Sequence, residues 1–161
     1  MAKLRKTNRL SKFDYSQPGY YFVTVCTDNR KECFGKVENG VMILNTEGKI
    51  AEKSWKNTPE CYQGVDIDEF AVMPNHIHGI VIIRERQAEG LHYTLSQIVG
   101  SYKNVVSKNI HAQGNIQFGW QPSFYDHVIR KDESLDKIRE YIRNNPLKWE
   151  LDRNNPSNLW M

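Results

Sequence analysis

The sequence predicts an α+β domain of the ferredoxin-like, split βαβ kind, with an antiparallel sheet and a C-terminal helix that carries a tyrosine. Three observations predict it. Runs with strand character and runs with helical periodicity follow one another as strand, helix, strand, strand, helix, strand, helix, once a small Asn-Gly hairpin is set aside. The second and third of those strands are joined only by Pro74-Asn75, so they form a hairpin. The chain has 161 residues, the size of one domain, and it shows no internal repeat, low-complexity tract or linker.

Gly19-Tyr20-Tyr21-Phe22-Val23-Thr24-Val25-Cys26-Thr27 is aromatic and β-branched, the composition of a strand. Residues 33–37 and 41–44 flank Glu38-Asn39-Gly40. Asn-Gly suits a type I′ turn, in which both central residues take positive φ. Thr46 is placed to cap a helix that runs through Ile50, Ala51 and Trp55 to about Thr58, ahead of Pro59. In Val65-Asp66-Ile67-Asp68-Glu69-Phe70-Ala71-Val72 the apolar phase changes between Ile67 and Phe70, which a bulge at Asp68-Glu69 would reconcile.

Leu95, Ile98, Val99, Tyr102, Val105, Val106 and Ile110 recur at helical spacing behind Thr94, an N-cap residue. His92 and His111 flank this helix and carry no assigned role. Residues 114–119 read as a loop and 124–129 as the last strand. Asp132 opens the final helix, with Leu135, Ile138 and Ile142 as its apolar side. That helix stops near Asn145-Pro146, because a residue before proline avoids the α region. Trp149 and Trp160 in the tail are expected to dock.

Lys and Arg number 22 against 19 Asp and Glu, a net charge of +3. This is compatible with a nucleic-acid partner without requiring one. Three cysteines without a Cys-x-x-Cys pair are read as reduced and structural. No secretory signal and no apolar run of about 20 residues is found, so the expectation is a soluble, cytoplasmic protein with no membrane contact. Residues 1–19 form a basic arm whose Arg5 and Lys6 are candidate phosphate contacts, as are Lys103 and Lys108 on the long helix. Residues 20–150 are read as one domain and 151–161 as a tail.

The chemistry gathers at Pro74-Asn75-His76-Ile77-His78. Side chains alternate along a strand, so His76 and His78 share one face and Ile77 anchors the other. In the ferredoxin-like arrangement this strand is central, with Ile77 under the helices and both imidazoles on the open side. On the last helix Tyr141 and Asn145 are i and i+4 and lie on one face beside the apolar stripe. If that helix packs across the open side, they look toward the histidines. A phenolate is a competent nucleophile toward phosphorus, and an ion on two imidazoles and an amide oxygen would polarise the phosphate.

Pro74-Asn75-His76-Ile77-His78 resembles the His-hydrophobic-His (HUH) motif of single-tyrosine transposases of bacterial insertion sequences and, more closely, of their relatives associated with repetitive extragenic palindromes (REP). Tyr20-Tyr21-Phe22-Val23-Thr24-Val25 is similar to the family's opening strand and Phe124-Tyr125-Asp126-His127-Val128-Ile129-Arg130 to its last. Residues 139–148, Arg-Glu-Tyr-Ile-Arg-Asn-Asn-Pro-Leu-Lys, resemble the segment that bears the catalytic tyrosine. The resemblance implies a nucleoid-associated nuclease for single-stranded or hairpin DNA, with Mg²⁺ or Mn²⁺ on His76, His78 and Asn145. Many insertion-sequence members carry glutamine at that third place. Tyr141 would attack the scissile phosphate to give a 5′-phosphotyrosine and a free 3′-hydroxyl. A homodimer in which Tyr141 serves a second subunit's histidines is compatible with the sequence. His127 is left outside the site. The different-class alternative is a catalytically silent or domesticated protein that binds DNA hairpins without cutting them. A histidine-triad enzyme is disfavoured by Ile80, and a cupin by the lack of a nearby glutamate.

Overall fold

The computed structural model describes residues 15–84 and 93–149. The strands are β1 (Gly19–Cys26), β2 (Gly35–Glu38), β3 (Val41–Leu44), β4 (Val65–Met73), β5 (His76–Ile83) and β6 (Tyr125–Ile129). The α-helices are α1 (Thr46–Lys56), α2 (Thr58–Cys61), α3 (Leu95–Ala112) and α4 (Leu135–Arg143). Strands β4, β5, β1 and β6 lie side by side in that order, each antiparallel to its neighbours. This is the expected ferredoxin-like order, with the histidine strand β5 in the interior of the sheet.

Helices α1 and α3 cover one sheet face. Their Ala51, Trp55, Ile98, Val99 and Ile110 form one buried cluster with Val25, Ile77 and Val81 from the strands. The Tyr102 hydroxyl donates to the Ala51 carbonyl at 3.0 Å and ties the two helices together. Helix α4 crosses the opposite face, where Ile142 packs on Ile80 and Ile82, with Leu135 and Ile138 beside them. Among the described residues no helix is long and apolar enough to cross a membrane.

Local chemistry explains the elements. Asn39 and Gly40 have φ of 51° and 75°, the positive pair a type I′ turn requires, and β2 and β3 pair around them. The α3 N-terminus is a capping box in which Thr94 and Gln97 satisfy each other's backbone amides. Three expectations are corrected. Asn45, not Thr46, caps α1, its side chain accepting from the Gly48 amide at 2.9 Å. Helix α4 starts at Leu135 behind the Ser134 cap rather than at Asp132. Val105, read as part of the buried stripe, is 46 % exposed, because the covered arc of α3 runs through Tyr102 and Val106 and leaves Val105 at its edge.

Candidate active site

The mount for the histidines is the turn between β4 and β5. The Thr27 amide donates to the Asn75 carbonyl at 2.9 Å, and the Phe34 amide to the Pro74 carbonyl at 3.0 Å. The Asn75 side-chain amide donates to the Arg30 carbonyl at 3.4 Å, which turns its Oδ1 toward His76 Nδ1, 2.8 Å away. An amide oxygen only accepts, so this geometry assigns the proton to Nδ1 and the lone pair to Nε2. His76 and His78 are 0 % and 2 % exposed, with ring centroids 5.0 Å apart and planes nearly perpendicular. Burial pushes the His76 pKa down to about 3, so its ring is neutral at physiological pH and able to donate a lone pair to a cation.

Helix α4 brings the other two groups. The Tyr141 ring lies 5.8 Å from that of His78 and 6.3 Å from that of Phe22, and the residue remains 49 % exposed. Asn145 sits in the turn after the helix, where its amide donates to the Ile142 carbonyl at 3.2 Å. It is 2 % exposed, and its Oδ1 is buried without a hydrogen-bond partner among the described residues. A buried amide oxygen left so is costly unless something occupies it, and a cation is a fitting occupant. The Trp149 indole stacks near His76 at 6.2 Å and 22° between planes. Among the described residues no group of three His, Cys, Asp or Glu is placed to hold a metal. An ion at His76, His78 and Asn145 would therefore rest on three neutral donors, leaving positions for phosphate oxygens.

The structure thus brings together His76, His78, Tyr141 and Asn145. Lys103 and Lys108 are not among them, since α3 packs on the opposite sheet face. Lys103 Nζ donates to the Gln121 carbonyl at 2.7 Å, while its own carbonyl accepts from Trp120 Nε1, so it ties the 114–124 loop to α3. Arg5, Lys6, His92 and Trp160 lie outside the described residues. His111 bonds the Phe118 carbonyl, and His127 pairs with Glu133 at 2.8 Å. Sequence reasoning missed Phe22 and Trp149 as walls of the site. Phe22 carried a usable signal, since it shares the alternation of β1 that faces His78, whereas Trp149 was expected to dock but nothing local said where.

The sequence model of the family described as "Transposase IS200 like" matches residues 16–145, from the first strand through the asparagine beside the histidines. The chain belongs to the IS200-like transposase family. An uncharacterised protein of Haemophilus influenzae is 35 % identical over 92 % of both chains. A second protein of that organism, named as a candidate REP-associated tyrosine transposase, is 26 % identical over 84 % of this chain and 74 % of its own. Among solved structures, a REP-associated tyrosine transposase bound to a REP hairpin shares the fold at a TM-score of 0.62 and 22 % identity, covering 95 % of this chain and 77 % of the other. A candidate transposase from Deinococcus radiodurans shares it at 0.53 and 13 %, covering 84 % and 97 %. The α+β fold and the transposase family are the ones expected from the sequence.

Proposed function

We propose that this transposase cleaves and rejoins single-stranded or hairpin DNA through a covalent tyrosine intermediate. The observation that carries the reading is the placement of Tyr141 beside His78, with the buried Asn145 oxygen in the turn that follows α4. The Tyr141 oxygen attacks the scissile phosphorus, a Tyr–O–P bond forms and the P–O3′ bond breaks. The 3′ strand leaves as a hydroxyl with the phenolic proton, and the 5′ strand stays on the enzyme as phosphotyrosine. Attack by a 3′-hydroxyl on that linkage reverses the chemistry and rejoins strands without outside energy.

His76, His78 and Asn145 fit Mg²⁺ or Mn²⁺, which when bound would polarise the phosphate and offset its developing charge. The exposure of Tyr141 suits a nucleophile that must reach a bulky strand. The hairpin bound by the REP-associated relative supports hairpin DNA as the partner here.

The test uses wild-type and Tyr141→Phe protein with labelled single-stranded DNA carrying a hairpin. The wild type should yield an adduct that survives denaturing electrophoresis, with the phosphate on the peptide containing Ile142 and Arg143. Tyr141→Phe keeps the ring against Phe22 and should fold as well, yet form no adduct, because no neighbouring group replaces a covalent nucleophile. Hairpin binding without any adduct in the wild type would make this a silent hairpin-binding protein.

A further inference from the structure

Strand β4 carries two consecutive acids that face the same side of the sheet. In a regular strand neighbours point to opposite faces, so this needs a bulge. The register supplies it: Ile67 pairs with Val81 and Phe70 with Gly79, so Asp68 and Glu69 together stand opposite Ile80 alone. Both acids reach α4. Arg139 grips Asp68 with two parallel bonds, Nε to Oδ1 at 2.8 Å and Nη2 to Oδ2 at 2.7 Å, in a partly sheltered position. Arg143, one turn on, pairs with Glu69 at 3.4 Å. Asp68 Oδ1 also accepts from the Glu69 amide at 2.7 Å, which helps fix the orientation of the carboxylate.

At 100° per residue, α4 has three edges. Leu135, Ile138 and Ile142 face the sheet, Arg139 and Arg143 line one flank, and Tyr141 lies on the other. The helix has nine residues, and only Ile142 among them is fully buried. A stripe that narrow fixes its contact with the sheet but resists rotation about its own axis poorly.

We propose that the Asp68–Arg139 fork, seconded by Glu69–Arg143, is a rotational latch that aims Tyr141 at the histidines. This rests on the strand-cleaving role of Tyr141 proposed above. The four residues touch no substrate in this scheme; they are positioning residues that act through the helix. A reacting atom displaced by about 1 Å can cost about a hundredfold in rate.

The test compares wild type, Asp68→Asn, Arg139→Lys and Arg139→Gln in adduct formation on hairpin DNA with divalent metal, well below the melting temperature. Amide hydrogen exchange across α4 is followed in parallel. Asp68→Asn and Arg139→Gln should lower the maximal rate at least tenfold, with half-saturating DNA concentration nearly unchanged. Arg139→Lys, which keeps the charge and loses the fork, should fall between them and wild type. Exchange should quicken in α4 and stay slow in β1 and β5. A purely structural ion pair would lower the melting temperature and leave the rate at low temperature untouched, and a wild-type rate in Asp68→Asn overturns the latch. If the wild type itself forms no adduct, the strand-cleaving reading fails, and the latch is judged by exchange alone: quickened α4 amides in Asp68→Asn support it, unchanged ones overturn it.

Discussion

The two faces of the central sheet are built on different terms. The face under α1 and α3 is a continuous apolar cluster, in which Trp55 packs edge-on against Tyr102 at 5.1 Å and Ile77 is wholly buried. The other face has a small cluster of Ile80, Ile82 and Ile142, and beside it are buried imidazoles and an amide. On the first face burial is offset by contact among hydrocarbon groups; on the second, polar groups are buried with little apolar reward. Apolar stabilisation resides mainly on one side of β5, and the residues of the proposed chemistry on the other. A single alternating strand serves both, with Ile77 turned one way and His76 and His78 the other.

The largest expected effect that would break this division comes from the site side. Replacing His76 and His78 together by Ala should reduce adduct formation to background while leaving hairpin binding largely intact, because phosphate contacts supply most DNA affinity. Cleavage by the double variant at the wild-type rate would remove the histidines from the chemistry.

On the covered face, Trp55→Ala should cost about 3–5 kcal/mol of folding stability, read by urea denaturation. Its effect on cleavage and on hairpin binding should be equal, since both follow the folded fraction. A stable Trp55→Ala variant that binds hairpin and has lost only cleavage would show that the two faces are not independent.

The smallest effect is one of pH. Arg139 holds the Asp68 carboxyl below its ordinary value of 3.8, with the Glu69 amide and the nearby Arg143 adding to this. A carboxyl lowered in the folded state contributes stability that is present above its unfolded pKa and is lost as pH falls through the folded one. The stability that the fork contributes should therefore be fully present from neutral pH down to about 4 and be lost progressively below that, as pH falls through the lowered folded value. Asp68→Asn should flatten the slope of stability against pH in that acid range, and an unchanged slope would show that the fork adds nothing to stability.

Much of the site was legible because its signals are local. The two-residue period that puts His76 and His78 on one face, the Asn-Gly turn and the phase change that marks the bulge are all written within a few neighbouring residues. The i, i+4 spacing of Tyr141 and Asn145 is local too, but the helix expected to carry both ends at Arg143 and leaves Asn145 in the turn after it, before Pro146. Strand and helix geometry convert such spacing directly into direction. The tertiary structure alone decided which face α4 covers, that Asp68 meets Arg139 across 71 positions of sequence, that Trp149 comes to lie near His76, and that Lys103 is held by Gln121 on the far side of the sheet. No periodicity encodes these, because each depends on how distant elements pack once their own apolar faces are buried. The sequence by itself determined what each element presents; packing decided what it is presented to.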